Sequence, residues 1–95
     1  MKYKISKKAA AELTRILRNR DSDEILYNWY GRKATDNDDD QAFGMSLKAR
    51  VRWLCADIKL CKEFGIESAD LKTLEKSLLD YEDMVDTWRR RNNLS

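Results

Sequence analysis

The sequence predicts an all-α protein: a four-helix-bundle-like domain in which two short N-terminal helices pack on a long antiparallel helical hairpin. Four observations lead there. The 95 residues include no proline and only three glycines, and they are rich in Ala, Leu, Lys, Arg, Glu and Asp, which favours helix. Phe43, Leu47, Val51, Leu54, Ile58 and Cys61 recur at spacings of 4, 4, 3, 4 and 3, one face of a helix. A second set on the same stretch, Ala49, Trp53, Ala56, Leu60 and Phe64, lies about 200° away at the helical period, so this helix should be packed from two sides. Finally, Leu71, Leu74, Leu78, Tyr81, Val85 and Trp88 follow spacings of 3, 4, 3, 4 and 3, a strict heptad seam.

The elements follow in order, within a single domain spanning 1–95. Tyr3 and Ile5 of the lead-in tuck against the core. Ser6 is an N-cap, and Ala9, Ala10, Leu13, Ile16 and Leu17 make one apolar stripe over about 7–19. Asp21 and Glu24 have capping-box spacing and open a second helix over about 22–31, ended by Gly31. There Ile25, Leu26 and Trp29 share the inward face, while Tyr27 and Asn28 point away. The segment KATDNDDDQ reads as the one long loop. The central helix covers about 40–64, with Gly44 a tolerated weak point and Gly65 its stop. Ser68 caps the last helix, about 69–92. The short link makes the two long helices antiparallel, pairing Phe43 with Trp88, Leu47 with Val85, Val51 with Tyr81, and so on to Cys61 with Leu71. Arg50 and Asp57 fall between the two apolar stripes, and Arg50 is expected to reach Glu82. If the short helices leave the second stripe bare, a second copy must cover it, so the chain is a monomer or a homodimer.

Composition excludes several classes. No apolar run approaches the roughly 18 residues of a membrane span, and residues 1–5 begin no signal-peptide core. Cys55 and Cys61, six residues apart on one helix, stand about 9 Å apart or more, too far for a disulfide; as core thiols they suit a cytoplasmic protein. The chain has no histidine, and two lone cysteines lack zinc-ligand spacing, so no metal and no cofactor is expected. Asp36, Asp38 and Asp40 alternate like the start of an EF-hand loop, but Gln41 and Leu47 occupy the positions that need glycine and glutamate. Acidic residues before a long helix favour its positive end instead. No catalytic residues are assigned, and the chain is read as non-enzymatic.

Net charge is +2, distributed unevenly: residues 1–33 hold nine Lys/Arg against four Asp/Glu. The candidate partner-binding residues fall in three groups. Tyr27, Trp29, Tyr30, Arg32 and Lys33 combine aromatic and basic side chains that dominate protein hot spots and also stack on bases. Asp36, Asp38, Asp39 and Asp40 form an acidic group that can dock on a basic surface. Lys48, Arg52 and Lys59 lie within a ~40° arc of the central helix as a basic stripe. The expected function is a small helical protein-binding module; the alternative is direct nucleic-acid binding through Lys7, Lys8, Arg15, Arg18, Arg32, Lys33, Arg89, Arg90 and Arg91.

Two resemblances accompany this reading. The opening YKISKKAAAEL resembles the first strand-to-helix turn of RelE/ParE-type toxins, but no alternating apolar segment follows to build their sheet, and no residue is carried over. In size and style the chain resembles small phage- or mobile-element-encoded accessory proteins, including anti-CRISPR inhibitors. That resemblance implies a role as inhibitor or regulator of a host protein or nucleic-acid machine.

Overall fold

The computed structural model describes residues 6–92; Tyr3 and Ile5 lie outside that range. The described residues form three α-helices and no strand: α1 (Lys7–Asn37), α2 (Asp40–Phe64) and α3 (Leu71–Arg91). The all-α class is as expected, but the two short N-terminal helices are one continuous helix of 31 residues. Ser6 caps its start, the hydroxyl accepting from the Ala9 N–H at 3.1 Å.

The expected break fails for a physical reason. Asp21 and Glu24 could open a helix only if their carboxylates turned back to the backbone. Instead both accept from Arg20, each at 3.3 Å, and Asp23 accepts from Arg52 of α2 at 2.9 Å. Gly31 also fails to stop the helix. Its cost of about 1 kcal/mol is outweighed by the packing of α1 along the whole of α2. α1 therefore runs through most of the expected loop, and a two-residue turn replaces it. Asp38 takes the left-handed conformation, φ 52°, with its N–H on the Ala34 carbonyl. Asp39 caps α2, its Oδ1 accepting from Gln41 and Ala42 N–H at 3.0 and 3.1 Å.

α2 lies between the other two helices, as its two stripes require. Toward α3 the core is Leu47, Val85 and Trp88, with Val51 and Tyr81 packed against it, which matches the expected layers. The top layer differs. Trp88 sits on Gly44 rather than Phe43: a Cβ built on Gly44 would stand 2.2 Å from the indole. Gly44 is thus the clearance that admits the tryptophan, not a weak point, and the indole N–H donates to the Asp40 carbonyl at 2.9 Å. Gly65, φ 67°, ends α2, with Gly65 and Ile66 N–H on the Cys61 and Leu60 carbonyls. α3 begins two residues later than expected because Asp70, not Ser68, accepts from the Thr73 N–H.

Toward α1 the seam differs in kind. Ala42, Ser46, Ala49, Asp57 and Leu60 are the buried residues on that side of α2. From α1 they meet Ile16 and Asp23, both buried, together with Arg20 and Tyr27. Arg20 Nε donates to Asp57 at 2.6 Å, and the Tyr27 and Trp53 rings meet edge-on at 5.9 Å.

Candidate functional site

With α1 continuous, its rotation is fixed along its whole length, and the inward face of residues 22–31 is not the expected one. Asp23 and Tyr27 turn in, while Ile25 is 67% exposed and Trp29 48% exposed. A helix that offers α2 the run Ile16, Arg20, Asp23, Tyr27 must present residues 18, 25, 29, 32 and 36 to solvent. Arg18, Arg32, Lys33 and Asp36 are all exposed there.

This outer face has local order of its own. The Lys33 ammonium lies 4.4 Å from the centroid of the Trp29 ring, and the half-buried Tyr30 meets Trp29 edge-on at 4.9 Å. The cation over the ring face and the ring edge beside it both favour this one placement of a half-exposed indole. Among the described residues no carboxylate lies within 4 Å of Arg18, Arg32 or Lys33, whereas Arg20, Arg52, Lys59 and Lys62 are all paired.

The other candidates are placed differently. Tyr27 leaves the aromatic–basic group for the interior, where its hydroxyl lies 3.5 Å from that of Tyr81. That hydrogen bond, and then burial, raises the Tyr27 pKa. Arg50 does not reach Glu82. Its guanidinium lies 4.0 Å from the Trp53 ring centroid, with Tyr27 and Tyr81 at 5.8 and 5.6 Å, so three rings take the place of the expected carboxylate. Burial is the reason: a planar, weakly hydrated cation between apolar stripes is better matched by ring faces than by an exposed acid. The Trp53 indole N–H has no hydrogen-bond partner among the described residues.

The basic stripe of α2 is largely spent inside the fold. Arg52 holds Asp23 at 2.9 Å and Lys59 holds Glu12 at 2.9 Å, both on α1, while Lys48 lies 5.2 Å from the Trp88 ring centroid. The Lys59 hydrogen bond lowers the Glu12 pKa. The acidic group is divided too. Asp38 and Asp39 build the turn, Asp36 stays on the outer face of α1, and Asp40 meets the end of α3. There Asp40 accepts from Asn92 at 2.8 Å and from Arg91. The Asn92 hydrogen bond lowers its pKa, with Arg91 adding to the effect. Of the C-terminal arginines, Arg91 is thereby committed to this clamp, while Arg89 and Arg90 remain exposed.

The alternative nucleic-acid set is spread along the molecule. Lys7 and Lys8 open α1, and Arg32 and Lys33 lie about 37 Å further along it by helical rise, at the end where α3 finishes. Ile25 is the member of the outer face that sequence reasoning misses, because its spacing places it on the expected inward face. The available signal was its place midway between Arg18 and Arg32, seven residues from each, a basic rim unsuited to burial.

Among the described residues no group of three or more His, Cys, Asp or Glu side chains could hold a metal ion. No helix among them is long and apolar enough to cross a membrane. No protein-family model, curated protein or solved structure matches the chain.

Proposed function

We propose that this chain is a small non-enzymatic protein-binding module whose docking surface is the outer face of α1, centred on Ile25 and Trp29. One observation carries the reading: two large apolar side chains stand exposed among Arg18, Arg32 and Lys33, cations with no carboxylate in reach among the described residues. Such a face fits an apolar patch rimmed by acidic groups, because burying the indole and isoleucine supplies affinity while the unpaired cations select the partner. A stoichiometric regulator or inhibitor acting in the cytoplasm is the role that follows from this proposal; it would work by occupying a surface rather than by chemistry.

The test is retention from the native host lysate with the tagged wild type, Ile25→Glu, Trp29→Ala and a control, Leu79→Glu, which changes an exposed apolar residue on α3. The expected result is a protein retained by wild type and control and lost from both α1 variants, with or without nuclease. Unchanged retention by Trp29→Ala overturns the reading. Loss under nuclease favours the second reading, nucleic-acid binding along α1, which is supported by the same unpaired cations and should weaken steeply between about 50 and 200 mM salt through counterion release.

A further inference from the structure

The charges on the outer face of α1 are arranged in a way that one partner of known composition satisfies. Eighteen residues make five whole turns of an α-helix, so Arg18 and Asp36 lie on one line along the outer face. Ile25 and Trp29 straddle that line about 20° to either side, and Asp21 and Arg32 share one flank. Residue 27 is the midpoint both of Arg18 and Asp36 and of Ile25 and Trp29.

We propose that two copies of this chain pair through this face, α1 against α1, antiparallel about a two-fold axis at the level of residue 27. The proposal rests on reading the face as a docking surface and names its occupant as a second copy. In that register Ile25 of each copy is level with Trp29 of the other and meets it diagonally across the mid-line, Arg18 faces Asp36, and Arg32 faces Asp21 on the same flank. The two-fold repeats every contact, so four ion pairs frame two apolar contacts. Arg18, Arg32 and Asp36 have no ion-pair partner within their own chain among the described residues; Asp21 has one at 3.3 Å, Arg20, which it shares with Glu24 and Asp57. A parallel pairing would set each of these charges against its own kind, which is destabilising. The self-complementary contact between two copies is of the isologous kind that closes as a dimer.

The paired length, residues 18–36, is about 27 Å. Two helical stripes of that length bury on the order of 1,000 Å² in all, the low end for specific association. The dimer is therefore weak and reversible, and it covers the docking surface only until a better partner competes for it.

Sedimentation equilibrium of the purified chain at sub-millimolar concentration tests this, with circular dichroism to confirm unchanged helicity. The wild type should be a reversible dimer that weakens with salt. One variant combines Arg18→Asp with Arg32→Asp; a second combines Asp21→Arg with Asp36→Arg. Each sets like charges against like and should lose about tenfold or more in self-association. Mixed one to one, the two are complementary at all four pairs and should dimerise as the wild type does. Ile25→Glu, which leaves these four charges in place, should be monomeric. A monomeric wild type overturns the proposal, as does a dimer that survives the charge variants or a mixture that fails to pair. A monomeric wild type that still captures another protein through Trp29 sinks self-pairing and leaves the docking surface standing.

Discussion

α2 is held from its two sides by different chemistry. Its seam with α3 is apolar and interdigitated: Leu47, Val85 and Trp88 form the buried cluster, and the indole closes over Gly44. Its seam with α1 sets small residues and charge beside the buried Ile16 and Leu60. Ala42, Ser46 and Ala49 let the helices approach, and Asp57, Asp23, Arg20 and Tyr27 fill the remainder with hydrogen bonds and ring edges. The difference matters beyond stability. Because α1 turns Arg20, Asp23 and Tyr27 inward beside Ile16, two of its large apolar residues, Ile25 and Trp29, are left for the outside.

That contrast predicts which substitutions hurt most. Trp88 is 2% exposed, and Trp88→Ala empties the apolar seam and frees the Asp40 carbonyl; it should cost about 3–5 kcal/mol in denaturant unfolding. Gly44→Ala attacks the same contact from the other side. Its methyl group would require the indole to leave its site, at about 2 kcal/mol or more, even though alanine is the better helix former. If Gly44→Ala proves stabilising, the indole does not lie on the α2 backbone. On the polar seam, Asp57→Ala leaves the Arg20 guanidinium without its shortest partner, and should cost about 2–4 kcal/mol. That range sits below the value for a fully buried pair because Arg20 keeps Asp21 and Glu24. Changing both members, Arg20→Met with Asp57→Leu, should recover most of the loss, since the desolvation of both charges disappears with them. An apolar seam offers no such rescue.

Acid should act on the polar contacts alone. Asp40, through Asn92 and Arg91, and Glu12, through Lys59, have lowered pKa values in the fold. Such groups contribute stability above their unfolded values, and the contribution is lost as pH falls through the folded ones. The melting temperature should hold down to about pH 4–5, near the ordinary carboxylate range, and decline below it. Asp40→Asn should flatten part of that decline while leaving the Trp88 hydrogen bond to the Asp40 backbone carbonyl in place. An equally steep acid profile in Asp40→Asn would show that the clamp at the end of α3 contributes nothing.

The apolar seam was legible in the sequence and the polar one was not. Six residues of α3 and six of α2 carry matching helical periods, and a heptad of large side chains admits one interpretation. Even there the top layer shifted, because pairing by spacing matched Trp88 to a large residue, Phe43, when the neighbouring glycine was what gave the indole room. α1 resisted for a deeper reason. Its inward positions hold Arg20, Asp23 and Tyr27, whose placement there is favourable only because Asp57, Arg52, Trp53 and Tyr81 lie opposite, and those partners are 26 to 54 residues away. Locally, Asp21 and Glu24 read as a helix start and Gly31 as a stop. The same misreading hid the candidate surface: placing Ile25 in the core removed the centre of the exposed face, while Trp29, Arg32, Lys33 and Asp36 were still found from their residue types.

The smallest expected effect gives the sharpest contrast between inside and outside. Ile25→Glu and Trp29→Ala, made singly, should each change stability by no more than about 0.5 kcal/mol. What they remove is exposed area, an edge contact with Tyr30 and one cation over a ring, and Lys33 recovers hydration when the indole goes. Trp29 and Trp88 are thus the same residue at opposite ends of the scale: one anchors the fold, and the other should be dispensable to it. Chemical denaturation of the two alanine variants in parallel measures that difference directly. A loss near that of Trp88→Ala in Trp29→Ala would mean that the outer face of α1 holds the molecule together, and that no surface there is free to meet a partner.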